Sequence, residues 1–455
     1  MSSFQKVFAW KGTINRKQYL LWGIILFAIK YNLDRLVAIS FGRQWFFTDY
    51  FIKPDYYAIT GVGEDDMKFF GVLLVLSLPF IWLGTVFCVK RLRDAGLPTW
   101  LVIFFFIPML NFLLFLVLAA LPTGNIATDY PDKQPSFLNA FIPNSKIGSA
   151  LVSVGLVAFA SLLFTIFSVQ LLGQYGWGLF VGVPFFTGFA SVLLYSYHQP
   201  RSYKDSMIVT FLSVVFFGAA ILLIALEGFL CVMMGAPLCL ILAWLGGTIA
   251  YFIQERSRNV SASAISPMFI ILIFVVFAEK YAAHQSPLIA IKTSVLVKAE
   301  PQAVWDKLVA FSEIAPPEEL LFHTGIAYPT HAAIEGIGEG AIRECHFTTG
   351  AFIEPITEWK EPELLRFSVL QQPPPLVEWS FYNEMDLPHL EGYFGSEKGQ
   401  FLLTKTEEGT ILEGTTWYRH KIWPANYWKL WSDYILHQIH FRVLNHIKKE
   451  AEANI

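Results

Sequence analysis

The chain has 455 residues, of which 55% are hydrophobic, 16% aromatic and only 15% charged. Soluble globular chains carry about 25% charged residues, so this composition excludes an ordinary soluble protein as a description of the whole chain. A net charge of −3 supplies no basic field for nucleic acid. Cys88, Cys231 and Cys239 lie in apolar segments and Cys345 stands apart, which builds neither a disulfide framework nor a paired metal spacing.

In chain order, Met1 to Lys17 are polar, aromatic and basic, with no small-residue cleavage site after a short apolar core. Insertion is therefore expected to begin with the first span itself. Crossing a hydrocarbon core of about 30 Å takes about 20 mostly apolar residues. Eight segments are candidates: Gln18–Ile39, Phe69–Val89, Trp100–Leu121, Ile147–Leu171, Trp177–Tyr197, Met207–Leu226, Phe229–Phe252 and Ala264–Ala278. Lys30, Asp34 and Arg35 interrupt the end of the first. Backbone groups in lipid must be bonded internally, which predicts a multi-span α-helical bundle of about eight helices. Pro79, Pro108, Pro184 and Pro237 are candidate kinks, and Gly178, Gly182, Gly188, Gly246 and Gly247 permit close helix approach.

Lys6, Lys11, Arg16 and Lys17 precede the first span, and Lys90, Arg91 and Arg93 follow the second, whereas Glu64, Asp65 and Asp66 lie between them. The positive-inside rule then predicts a cytoplasmic N-terminus, and eight spans return the C-terminal part to the cytoplasm. Arg201, Lys204, Arg256 and Arg258 fall on the opposite side in that arrangement, a conflict that one crossing more or fewer would remove.

The segment Phe8-Ala-Trp-Lys-Gly-Thr-Ile-Asn-Arg-Lys-Gln-Tyr19 resembles the entry motif of the bacterial domain-of-unknown-function family 805. The resemblance continues through Val89-Lys-Arg-Leu-Arg-Asp-Ala-Gly96, Trp100, Ile107-Pro108 and Pro122, and covers Phe4 to Asn125. The family's basic loop usually carries His where this chain has Arg93. The resemblance implies a bacterial inner-membrane protein and no known activity. Arg91 and Asp94 read either as an ion pair organising a cytoplasmic binding surface or as a topology determinant with a local pair at a helix end.

Near Ser286 the chain changes character, and the remainder is normally charged. With the family-805 resemblance marking the first part, this divides it into 1–130, 131–285 and 286–455. Leu288–Lys298 is strand-like. Glu300–Phe311 reads as a short helix with Pro301 in its first turn and Val304, Trp305, Leu308 and Phe311 on one stripe. Strands are predicted near Gly340–Thr348, Ala351–Trp359, Leu364–Leu370, Gly399–Thr406 and Thr410–His420, with a hairpin at Glu407–Gly409. Pro373–Pro375, followed by Trp379 and Tyr382, reads as a rigid loop that either lids a cavity, rests on the bilayer, or is plain structure. Pro424–Glu450 reads as a long helix with Trp428, Ile435, Leu436, Ile439, Val443 and Ile447 on one face.

Val295-Leu-Val-Lys-Ala-Glu-Pro-Gln-Ala-Val-Trp305 and Leu412-Glu-Gly-Thr-Thr-Trp-Tyr418 resemble the START-like, or SRPBCC (polyketide cyclase), superfamily over Pro287 to Glu450. The resemblance implies an α+β helix-grip domain: an antiparallel sheet around the terminal helix, with an apolar cavity between. Lining candidates are Phe347, Phe352, Phe367, Trp417, Trp431, Ile435 and Ile439. Arg343 reads either as a holder of an anionic head group or as half of a sheet-surface salt bridge with Glu354 or Glu358. Asp433, His437 and His440 share one helical flank. That trio fits an acid–base site, a Zn²⁺ site or a plain polar border in which Asp433 bonds His437. His446 reads as a satisfied core histidine.

The expectation is a membrane protein that binds a hydrophobic or amphipathic molecule near the bilayer, with no cofactor, no resident metal and no nucleic-acid partner. Its partners are the bilayer and that molecule, and a homo-oligomer is left open. A membrane-tethered cyclase- or hydrolase-type enzyme using His437 is the alternative, and a transporter or assembly scaffold the second alternative.

Overall fold

The computed structural model describes residues 9–46, 50, 64–95, 99–106, 110–120, 141–173, 175–256, 265–281, 287–378 and 394–453. Pro108, Pro122, Ser286, Trp379 and Tyr382 lie outside them. Two compact units emerge: Met1–Ile221 with Ala236–Ala282, and Leu222–Gly235 with Ala283–Ile455.

The apolar part contains α1 (Arg16–Ser40), α2 (Glu64–Asp94), α3 (Leu110–Ala120), α4 (Lys146–Ile166), α5 (Val183–Tyr195), α6 (Tyr203–Leu223), α7 (Phe229–Arg256) and α8 (Ile265–Tyr281). Each expected span has a helix, but only five helical stretches among the described residues are long and apolar enough to cross a membrane. They are Met67–Asp94, Lys146–Leu171, Gly178–Tyr195, Tyr203–Leu223 and Phe229–Glu255. Three of the eight expected spans fall short for separate reasons. Lys30, Asp34 and Arg35 put charge inside α1. The third is divided between a 3₁₀ stretch at Thr99–Phe106 and the 11-residue α3. Helix α8 has only 17 residues.

Local chemistry sets the ends and crossings. Asn15 caps α1, its side chain accepting from the Gln18 amide at 2.9 Å. Arg91 is fully buried; it pairs with Asp94, and its Nε donates to the Leu118 carbonyl at 2.9 Å. The pair therefore ties α2 to α3 internally rather than presenting a surface. A Cβ on Gly188 would lie 1.9 Å from the Ala243 carbonyl oxygen, and one on Gly246 would lie 2.2 Å from that of Phe185. Helices α5 and α7 thus cross backbone to backbone, which only the missing side chains allow. At the end of α8, the Glu279 carboxylate accepts from the Trp177 and Gly178 amides, the first turn of the helical stretch leading into α5. Those amides have no intrahelical partner, so the carboxylate supplies one.

The C-terminal unit contains β1 (Ile289–Val297), α9 (Pro301–Leu308), β2 (Pro329–Glu335), β3 (Ile342–Phe347), β4 (Gly350–Lys360), β5 (Leu364–Ser368), β6 (Phe394–Thr406), β7 (Gly409–His420) and α10 (Ala425–Glu452). Its seven strands form one sheet in the order β1-β7-β6-β5-β4-β3-β2, antiparallel throughout. Register shifts at Pro329/His331, Ile356/Glu358 and Ser396/Lys398 bend the strands. The sheet curls far enough for α10 to reach both edge strands. Lys448 Nζ donates to the Leu296 carbonyl on β1 at 2.7 Å, and Arg442 Nε to the Pro329 carbonyl on β2 at 3.0 Å. This is a helix-grip fold.

Its closed end is a core of Val297, Trp305, Leu308, Phe311, Leu412, Leu444, Ile447 and Ala451. Each large apolar side chain buried there contributes about 1.5–3 kcal/mol. The expected α9 stripe is this core's lid, with Trp305 stacked edge-on against Trp359. Strand β2 was not expected from sequence. Pro329 opens it and Ala332 and Ala333 follow, a weak strand signal suited to an edge.

Candidate functional site

Period-2 alternation decides which strand residues face α10. On β3 and β4 these are Arg343, Cys345, Phe347, Phe352 and Glu354; on β5 and β6, Phe367 and Phe401. On β7 they are Thr416, Tyr418 and His420. Trp417 lies between Thr416 and Tyr418 and therefore points to the outer face, where Lys398 covers its ring at 4.9 Å. Its expected place in the lining is corrected by the pleat. Phe347 and Phe352 pack against each other at 4.7 Å and stay half-buried, as do Ile435 and Ile439 on α10. Trp431 is half-buried one turn before Ile435. These inward-facing apolar side chains are still partly reached by solvent, with Phe347 and Phe352 packed against the edge of the closed core. Phe367, also expected in the lining, is buried within that core.

Arg343 is buried against this core, 1% exposed, beside Glu354 at 6%. The guanidinium pairs with the Glu354 carboxylate, and its Nε donates to the Val309 carbonyl at 3.3 Å. Its centre lies 5.5 Å from the rings of Phe311 and Phe367 and 5.6 Å from Phe401. The salt bridge with Glu354 is thus interior, not on the sheet surface, because residue 343 has inward parity. Glu358 turns outward to Lys360 and Arg366. Burial pushes the Glu354 carboxyl up from its ordinary value, and Arg343 opposes that rise.

The polar flank of α10 joins its two histidines through Thr293 rather than through Asp433. Thr293 Oγ1 lies 2.7 Å from His437 Nδ1 and 3.0 Å from His440 Nδ1, and Thr416 Oγ1 lies 2.8 Å from His440 Nε2. Asp433 instead pairs with Lys429 and accepts from the Tyr418 hydroxyl at 3.3 Å. So His437 and His440 come together through Thr293, while Asp433 belongs to a separate pair. Among the described residues no cluster of three or more His, Cys, Asp or Glu side chains is arranged to hold a metal ion. Burial lowers His440 to about 4, with His437 adding to the effect, so its imidazole is neutral near pH 7. A neutral His440 is satisfied in either direction: Nδ1–H donating to Thr293 while Thr416 donates to Nε2, or the reverse. His446 lies 3.3 Å from Ser312 Oγ and 3.5 Å from Glu450, a satisfied partner of the core edge.

Sequence reasoning missed Glu354 as an interior charge, the two threonines, and His420. His420 is 3% exposed and ends the inward row of β7. Its Nδ1 lies 3.2 Å from the Ile422 carbonyl, so that nitrogen carries the proton and donates. Burial lowers the ring to about 4. The i, i+2, i+4 spacing of Thr416, Tyr418 and His420 was the signal that could have found it.

The Pro373–Pro375 loop is stitched down: Ala327 donates to the Pro375 carbonyl at 3.0 Å, Val377 to Gly325 at 2.8 Å and Thr349 Oγ1 to Pro374 at 2.8 Å.

Residues 7–131 match the model of a family described as a protein of unknown function (DUF805). No curated protein matches the chain at a significant level. Among solved structures, the Zhui aromatase/cyclase from Streptomyces sp. R1128 is 14% identical over 37% of this chain and 95% of that one, with a TM-score of 0.25. Truncated norcoclaurine synthase from Thalictrum flavum is 14% identical over 36% and 94%, with a TM-score of 0.23. The Aha1 dimer from Colwellia psychrerythraea is 13% identical over 35% and 96%, with a TM-score of 0.22. The fold itself is read from strand order and the terminal helix. The chain is thus of membrane type, resembling the DUF805 family over residues 7–131 and carrying a helix-grip domain after its apolar helices.

Proposed function

We propose that the helix-grip unit takes up an apolar or amphipathic small molecule beside the bilayer, between α10 and β3–β4. The observation that carries this reading is the half-buried inward set of Phe347, Phe352, Ile435 and Ile439 next to the buried Arg343–Glu354 pair. Apolar side chains turned inward but left partly wet gain about 25 cal/mol per Å² when a ligand covers them. The charged pair and the polar rows of β7 and α10 supply the few groups that fix orientation. Attachment to membrane helices raises the local concentration of lipid-soluble ligands. Mass spectrometry of small molecules retained by the purified full chain tests this. Wild type is expected to retain one class of apolar molecule that Ile439→Trp, filling the opening, does not. Equal retention by both removes the reading.

A second reading, a membrane-tethered cyclase- or hydrolase-type enzyme, draws on the His437–Thr293–His440–Thr416 chain, which can pass a proton in either direction. His437→Ala separates the two: loss of turnover with ligand retention intact favours catalysis. Residence in a bacterial inner membrane, with the N-terminus and the C-terminal unit in the cytoplasm, belongs to the same proposal. It rests on the basic residues around the first two apolar helices. A reporter fused after Ile455 that is active only in the periplasm would overturn that orientation.

A further inference from the structure

We propose that His420 Nε2 is a dedicated acceptor for a hydroxyl or N–H donor on the bound molecule, so that the site selects a donor-bearing amphipath over a purely apolar one. The inference rests on the binding reading above and adds the ligand's chemical class.

The geometry is specific. Nδ1 of His420 faces the Ile422 carbonyl, which can only accept, so the proton is on Nδ1 and Nε2 presents a bare lone pair. That Nε2 is buried and has no hydrogen-bond partner among the described residues. A buried acceptor left unmade costs about 1–3 kcal/mol, and such groups are rare unless something outside the chain completes them. The side chain is 3% exposed and lies on the inward face of β7 with Thr416 and Tyr418. Those two neighbours are already satisfied, Thr416 by His440 and Tyr418 by Asp433. Among the described residues, His420 Nε2 is the acceptor of these three residues left unfilled. Rings lie beside it: Tyr418 stacks on His420 at 6.2 Å, and Phe394 meets Tyr418 at a tilt, 5.2 Å between centroids. An aromatic or alicyclic body against these rings, with one donor at its end, matches both features.

The test uses the full chain in lipid nanodiscs, with empty nanodiscs subtracted. The probes are 2-naphthol, which carries one O–H donor, and 2-methoxynaphthalene, which has the same rings and no donor. The wild type is expected to bind 2-naphthol about tenfold more tightly. His420→Phe keeps a ring and is expected to lose that preference while still binding 2-methoxynaphthalene. In case the variant folds poorly, ¹⁵N spectra of histidine-labelled wild type provide a second readout: the unprotonated Nε2 resonance should move with 2-naphthol and stay with 2-methoxynaphthalene. Saturable binding of both probes without preference, or a preference that survives His420→Phe, overturns the donor site and leaves the binding reading standing. Absence of saturable binding by either probe overturns both.

Discussion

Removing Glu354 alone should be far more damaging than removing it together with Arg343. The guanidinium is 1% exposed and its charge is balanced by one carboxylate and one carbonyl. Breaking a buried pair by removing one partner costs about 3–5 kcal/mol, because the other charge is left stranded. Phe311, Phe367 and Phe401 face the guanidinium at 5.5 to 5.6 Å and offset part of that loss. The two single variants should also differ. Arg343 cannot shed its proton, whereas burial already pushes the Glu354 carboxyl up, so Glu354 can neutralise itself when Arg343 is lost. The expected order of damage is Glu354→Leu, then Arg343→Met, then the double variant, which is close to wild type. For a domain of this size each kcal/mol moves the melting midpoint by about 2–4 °C, which puts Glu354→Leu about 6–20 °C lower. The assay is thermal unfolding of the full chain followed by tryptophan fluorescence, with Trp305 in the core of the unit and Trp359 packed against it. A double variant as unstable as Glu354→Leu would refute the reasoning, since the cost would then lie in packing rather than in an uncompensated charge.

Lowering the pH should loosen the same unit. His440 and His420 sit near 4 when folded, against about 6.5 when unfolded, so the unfolded chain takes up their protons first. Their contribution is complete above about pH 6.5, falls as pH drops toward 4, and levels off below, at up to about 3 kcal/mol per group. His440→Gln should flatten the melting midpoint against pH over that interval; an unchanged slope contradicts the assignment. Gly188→Ala would drive a methyl group into the Ala243 carbonyl, and overpacking of this kind costs about 1–3 kcal/mol or more, read as a lower melting midpoint or yield of the membrane part. Glu279→Leu leaves the Trp177 and Gly178 amides without their carboxylate, a loss of about 1 kcal/mol in the same measurement, while Glu279→Gln should recover part of it.

What was legible in the sequence was what periodicity and punctuation encode. The alternation of Ile289, Ile291 and Thr293, the Pro301 start of α9, the hairpin at Gly409 and the apolar face of α10 all come from residues whose local preference agrees with the fold. The apolar helices were legible as segments but not as crossings. Hydropathy does not register that Thr99–Phe106 form a 3₁₀ stretch and Leu110–Ala120 a short α-helix, or that α8 has 17 residues. Within the site, strand parity was readable and decisive. It places Arg343 inside and Trp417 outside, and applying it along β7 would have pointed to His420. Side-chain pairing was readable for Arg91–Asp94 and Arg343–Glu354 but not around Asp433. Asp433 lies one turn from His437, yet Lys429 on the preceding turn and Tyr418 on β7 hold it. A carboxylate follows the nearest ammonium and hydroxyl: Lys429 is set by i, i+4 spacing along the helix, whereas the Tyr418 hydroxyl is brought there by the sheet.

Photo-crosslinking tests the central claim most directly. A diazirine-bearing fatty alcohol is loaded into nanodiscs with the full chain, irradiated, and its adducts are mapped by peptide mass spectrometry. Adducts within the C-terminal unit are expected on β3–β4 around Phe347 and Phe352 and on α10 around Ile435 and Ile439, with the outward Trp417 unmarked. Labelling of that unit confined to the Trp417 face, or none in the unit at all, would contradict the account.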